Sequence, residues 1–182
     1  NFTDGTNFVD IRNTITNADE SPVTLSTTMK ALFADQRTKI HPASFTAGKI
    51  WRLTAFGKAT TDGTAGNYVF EVALGTGDAP AALAAGATIA GSTSQTDVRW
   101  MAEAYLECRV AGASGKVRLW GRWFPAVALV ASTLQPYTFP GTAPADVTVD
   151  LTTGKALTFQ LQRSGAGVWT ATTTSVLLES LN

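Results

Sequence analysis

Apolar and polar residues alternate through residues 97–124 with few interruptions. Val98, Trp100, Ala102, Ala104, Leu106, Cys108 and Val110 share one parity, and Arg99, Met101, Glu103, Tyr105, Glu107 and Arg109 share the other. Beyond a Gly112-Ala113-Ser114-Gly115 turn, Val117, Leu119, Gly121 and Trp123 alternate with Lys116, Arg118, Trp120, Arg122 and Phe124. Side chains two residues apart point to the same side of a strand. The pattern therefore predicts one long antiparallel hairpin with one face on a core and the other outward. The outward residues also select a register. With Glu107 opposite Arg118, Tyr105 faces Trp120, Glu103 faces Arg122 and Met101 faces Phe124. Such charge and aromatic pairs stabilise a sheet by about 0.2–1 kcal/mol each. A slip by two residues would instead set Arg109 against Arg118 and Glu107 against Trp120.

The rest of the chain reads as shorter strands between turns. Residues 1–22 are polar with scattered Phe8, Val9, Ile11 and Ile15, which predicts an extended arm with a weak strand over Phe8–Ile15. Ser26–Asp35 is the best helical stretch, with Ser26 as N-cap and Met29, Leu32 and Phe33 on one face. A strand follows over Lys49–Gly57, a turn segment over Lys58–Asn67 and an alternating strand over Tyr68–Leu74. Residues 75–97 form a long connection rich in Ala, Gly, Ser and Thr. Thr88-Ile89-Ala90 is its most strand-like piece, and Ala81–Ala85 suits one or two helical turns ended by Gly86. After the hairpin, Pro125, Pro136, Pro140 and Pro144 punctuate a loop region over 125–145. Strands then run through Asp146–Leu151, Leu157–Leu161 and Val168–Leu178.

These elements predict an all-β, jelly-roll-like antiparallel β-sandwich of about eight strands with an extended N-terminal arm and one short helix. Residues 1–44 carry the arm and helix, and residues 45–182 the sandwich. The composition agrees: hydrophobic residues make up 45% of 182, enough for one well-cored domain, and only 15% are charged. Fourteen basic residues balance fourteen acidic ones, so no net field favours nucleic acid or an anionic membrane. The longest apolar run, Phe124 to Ala131, is interrupted by Pro125 and falls short of a membrane span of about 20 residues. Cys108, the sole cysteine, excludes an internal disulfide and has inward parity, as a small buried hydrophobe would.

Catalytic chemistry finds little to build on. His41 is the sole histidine, so no metal site with more than one imidazole is available within one chain. A Ser-His-Asp triad would have to use this residue, which stands beside Pro42 in a linker. Glu103 and Glu107 suggest a glycosidase pair, yet four residues along a strand separate them by about 13 Å. The two glycosidase mechanisms use roughly 5–9.5 Å. Gly112-Ala113-Ser114-Gly115-Lys116 resembles the end of a phosphate loop, but Val110 stands where the first glycine belongs, Val117 follows the lysine and a strand replaces the helix. Gly75-Thr76-Gly77 is no dinucleotide fingerprint, since Pro80 occupies the third glycine position, and no EF-hand loop is present. The reading is no enzyme, no metal and no cofactor.

Binding residues are easier to nominate. Trp100 and Trp123 have core parity. Tyr105 and Trp120 point outward opposite one another, an arrangement that anchors a protein interface or stacks on sugar rings. Because charges border them on both sides, the interface is the favoured reading. The apolar residues of the arm, Phe2, Phe8, Val9, Ile11 and Ile15, are the second set of candidates.

One resemblance bears on these candidates. The stretch Ala47-Gly48-Lys49-Ile50-Trp51-Arg52-Leu53-Thr54-Ala55-Phe56-Gly57, its Thr/Gly turn and the strand ending at Leu74-Gly75 are similar to a motif of tailed-bacteriophage virion proteins. So are Trp100-Met101-Ala102-Glu103-Ala104 leading to Val110–Val117, and Val147-Thr148-Val149-Asp150-Leu151 through Leu157. The resemblance covers roughly residues 45–182. It implies a jelly-roll head-decoration, fibre or minor tail component that assembles as a trimer, and it supplies no catalytic residues. The expectation is a capsid decoration protein of the virion, with the major capsid protein or another virion protein as partner and no nucleic acid or membrane. The alternative is a tail or fibre domain that binds a host-surface glycan.

Overall fold

The computed structural model describes residues 21–75, 80–124 and 136–182. Among them are twelve strands: β1 (Val23–Leu25), β2 (Lys30–Ala31), β3 (Lys39–Ile40), β4 (Ile50–Thr61), β5 (Asn67–Gly75), β6 (Ala81–Ala90), β7 (Gln95–Val110), β8 (Gly115–Phe124), β9 (Tyr137–Phe139), β10 (Asp146–Val149), β11 (Lys155–Ser164) and β12 (Trp169–Ser180). They form two antiparallel sheets. The first has the order β1-β12-β4-β7-β8-β10, with β9 also on β8, and the second has the order β2-β11-β5-β6, with β3 also on β11.

Because β2 and β3 both pair with β11, they act as one interrupted strand. With them counted together, β1, β2/β3, β4, β5, β6, β7, β11 and β12 are the eight strands of a jelly roll, exchanged between the sheets in two Greek keys. Strands β8, β9 and β10 are an addition between β7 and β11 that widens the first sheet past β7. The most legible feature of the sequence, the return arm of the hairpin, is thus an extension of the roll.

Alternation places one set of side chains between the sheets. Phe70 lies at the centre, with its ring stacked on Trp123 (4.8 Å between centroids, 13° between planes) and tilted against Phe139 and Phe159, each at 5.3 Å. Tyr68 packs on Trp169 at 4.7 Å and edge-on to Trp123 at 6.0 Å. Trp100, Leu106, Val117, Leu119, Val149 and Leu161 are buried as their parity requires. Burial of this apolar area, at about 25 cal/mol per Å², is the main force holding the sheets together. Gly57 serves this packing: a Cβ there would lie 2.3 Å from the Trp100 ring and the Thr172 carbonyl oxygen.

Four expectations need correction. Ser26–Asp35 is not a helix. The Ser26 hydroxyl accepts from the Thr28 amide, Lys30–Ala31 joins the second sheet, and the Leu32 amide donates to the Phe159 carbonyl. Leu32 and Phe33 are buried, Phe33 edge-on to Phe159, so packing on β11 outweighs a helix too short to hold itself. The only helical turns among the described residues are single 3-10 turns at Asp35–Arg37 and Pro42–Ser44. Second, the sandwich does not begin at residue 45: β1, β2 and β3 lie in its sheets, and Leu25 and Ile40 are in its core. Third, Ala81–Ala85 is strand, paired to β5 with two irregularities, because small residues give no periodicity to read. Fourth, β4 continues to Thr61, through the first part of the expected turn. The weak strand expected over Phe8–Ile15 lies outside the described residues.

Candidate functional site

Four strands of the first sheet carry the outward residues that matter, and the ladder sets them in rows. Glu179 on β12 pairs with Arg52 on β4, Arg52 with Tyr105 on β7, and Tyr105 with Trp120 on β8. One row is therefore Glu179, Arg52, Tyr105 and Trp120. The next is Leu177, Thr54, Glu103 and Arg122, and the one beyond it Ser175, Phe56, Met101 and Phe124. On the other side lie Ile50, Glu107, Arg118 and Asp146.

The hairpin register is the expected one at all four positions. The Tyr105 and Trp120 rings stack at 5.8 Å with 9° between their planes, and both are half-buried. Around them the charges are already paired. Arg52 donates from Nε and Nη2 to Glu179 Oε2 at 2.8 and 2.6 Å. Glu103, 8% exposed, accepts from the Tyr105 hydroxyl at 2.6 Å and has Arg122 Nη2 at 3.6 Å. One ion pair differs from expectation. Glu107 stands opposite Arg118 but bonds Arg109 at 2.7 Å, while Arg118 binds Asp146 on β10 at 2.8 Å. Strand β10 offers Arg118 a second carboxylate that the hairpin alone does not reveal.

Four guanidiniums thus meet four carboxylates on this face. The hydrogen bond to Glu179, and then that to Tyr105, raise the Arg52 pKa further. The bond to Glu103 raises that of Tyr105, with burial adding to it and Arg52 opposing. Beside the paired charges Phe56 is 44% exposed, with Met101, Phe124 and Leu177 half-buried next to it. Apolar and aromatic groups with neutralised charges at their border form the kind of surface that a partner buries at low desolvation cost.

The outer face of the second sheet is different. Its outward Ala73, Ala156 and Thr158 are fully buried, Gln160 is 1% exposed, and no aromatic residue stands among them. Elsewhere, His41 Nδ1 accepts from the Ala43 amide and caps a 3-10 turn. Cys108 is buried, and burial raises its thiol pKa. No group of three or more His, Cys, Asp or Glu able to hold a metal occurs among the described residues. No helix among them is long and apolar enough to cross a membrane.

Of the residues nominated from sequence, Tyr105 and Trp120 come together on this face. Phe2, Phe8, Val9, Ile11 and Ile15 lie outside the described residues. Sequence reasoning missed Arg52, Phe56, Leu177, Glu179 and Asp146. The alternation of β4 marks Arg52 and Phe56 as outward, but no turn joins β4 to β7 or to β12, so nothing local sets that register. No protein-family model matches the chain, and no curated protein matches it significantly.

Proposed function

We propose that this protein is a non-enzymatic structural component of a tailed-phage virion, a capsid decoration protein that docks on the head as a trimer. The observation that carries the reading is the outer face of the first sheet. There the Tyr105–Trp120 stack and the Phe56, Met101 and Phe124 row sit among charges that satisfy one another. A surface whose charges beside the aromatic stack are paired, anchored by Trp, Tyr and Arg, suits burial against another protein. The jelly roll beneath supplies a rigid platform, and the resemblance in residues 45–182 to phage virion proteins supplies the class of partner.

The stacking also weighs against the glycan alternative. Tyr105 and Trp120 each turn one ring face to the other, which leaves less ring surface for a sugar. Trimerisation would multiply weak contacts with a shell through effective concentration. The test is add-back. Purified protein mixed with parent heads stripped of accessory proteins should rebind at symmetric positions in electron micrographs. Binding to cell-wall polysaccharide with no rebinding to heads would replace this reading with receptor recognition.

A further inference from the structure

Among the described residues, much of one edge of the last strand has no neighbour. Strand β1 pairs with β12 only through Val23–Ala171, Thr24–Thr170 and Leu25–Trp169, while β12 runs on to Ser180 beside β4. Among the described residues no strand pairs the other side of β12 beyond Ala171. A register irregularity between Thr173 and Ser175 sets off the final stretch, Ser175–Ser180, as a segment of ordinary strand length.

The direction of its amides follows from one hydrogen bond. The Leu181 amide donates to the Ile50 carbonyl at 2.9 Å. Antiparallel ladders alternate between residues whose backbone groups face the partner and residues whose groups face away. The amides and carbonyls of Val176, Leu178 and Ser180 therefore face away from β4, toward the edge that no described strand pairs. Natural edges are blunted by Lys, Pro, bulges or shortness. Strand β10 is four residues long, and β6 has two register irregularities and lies against β9. Ser175-Val176-Leu177-Leu178 carries no charge and no proline, and the charge that follows, Glu179, is bound to Arg52.

We propose that Ser175–Ser180 receives residues 8–15 of a neighbouring copy as an added strand, so that copies are joined by exchange of their arms. It rests on the proposed function only in supposing that copies assemble. The β1 pairing along β12 ends at Val23. Pro22, opposite Thr172 in that register, has no amide to donate, Ser21 and Pro22 are exposed, and the irregularity at Thr173–Ser175 follows. A copy nearby has no such obstacle. Residues 16–22 can span at most about 25 Å, which suits adjacent subunits, and the apolar Phe8, Val9, Ile11 and Ile15 give the added strand side chains to bury. Backbone hydrogen bonds would supply the affinity, as in other strand-addition interfaces.

The test uses the full chain, with light scattering for mass and amide exchange residue by residue. The wild-type protein should be an oligomer in which the amides of Val176, Leu178 and Ser180 exchange at least 100-fold more slowly than after dilution to monomer. A Val9→Pro, Ile11→Pro chain should be monomeric and exchange fast at those three amides, with Glu103 and Tyr105 still protected. A monomeric wild-type chain, an oligomer with fast exchange at these amides, or slow exchange that ignores both dilution and the prolines would overturn the proposal. A proline variant that keeps its mass yet no longer binds phage heads overturns arm exchange and leaves the head-binding role standing. Arm exchange observed in a protein that never binds heads does the reverse.

Discussion

Strand β8 carries two tryptophans three residues apart, and they do different things. Trp123 points between the sheets, 2% exposed, with its ring stacked on Phe70 of the opposite sheet. Trp120 points outward and stacks on Tyr105 of the adjacent strand. The inner ring ties two layers together and has neighbours on every side. The outer ring touches its own layer and stays half-buried at the surface. The same residue type on the same strand therefore serves cohesion on one face and, in the function proposed above, recognition on the other, and parity decides which.

The comparison makes graded predictions. Trp123→Ala should cost about 3–5 kcal/mol in a denaturant melt, because the vacated volume lies in a packed core. Leu106→Ala, on the inner face of β7, should cost about 2–5 kcal/mol by the same mechanism, and a loss under half a kcal/mol would place it at the surface. Tyr105→Phe removes the hydroxyl that Glu103 accepts, so it should cost about 1.5 kcal/mol, the usual worth of a hydrogen bond to a charged group. Trp120→Ala should cost about 1 kcal/mol for the stacked pair together with the part of the ring area that is buried, and still less than Trp123→Ala. If it cost as much as Trp123→Ala, the division between faces would be wrong.

The smallest effect concerns the second sheet. Burial raises the pKa of Glu71, on the outward side of β5. The folded chain therefore holds this proton more tightly than the unfolded chain. The resulting stability is complete below the ordinary carboxylate range and is lost as pH rises through the raised pKa. Glu71→Gln should flatten that slope, with a gain of no more than about 0.5 kcal/mol at neutral pH and none in acid. An equal effect at pH 3 and pH 7 in thermal melts would remove desolvation as the cause.

What could be read from sequence followed the range of the interactions. The β7–β8 register was legible because a short turn joins the strands and four outward pairs agree on one alignment. The core parity of Trp100, Leu106 and Trp123 was legible because long strands with one buried face alternate strictly. Leu32 and Phe33 misled, since their spacing from Met29 fits a helix while their actual partner, β11, lies far along the chain. Ala81–Ala90 gave no period because alanine suits either face. The β12 and β4 side of the proposed docking surface, with Arg52, Phe56, Leu177 and Glu179, meets the hairpin only through ladders between distant strands. Asp146 likewise reaches Arg118 across β10, out of reach of any reading of the hairpin alone.

The central claim is that the outer face of the first sheet docks on a phage head. It is tested most directly by titrating stripped heads with wild-type protein and with Trp120→Ala, a variant that should keep its fold. The account predicts binding at least about 30-fold weaker for the variant, the loss of about 2 kcal/mol that defines an interface hot spot, with the melting temperature lowered by only a few degrees. Undiminished binding by a folded Trp120→Ala protein would contradict it.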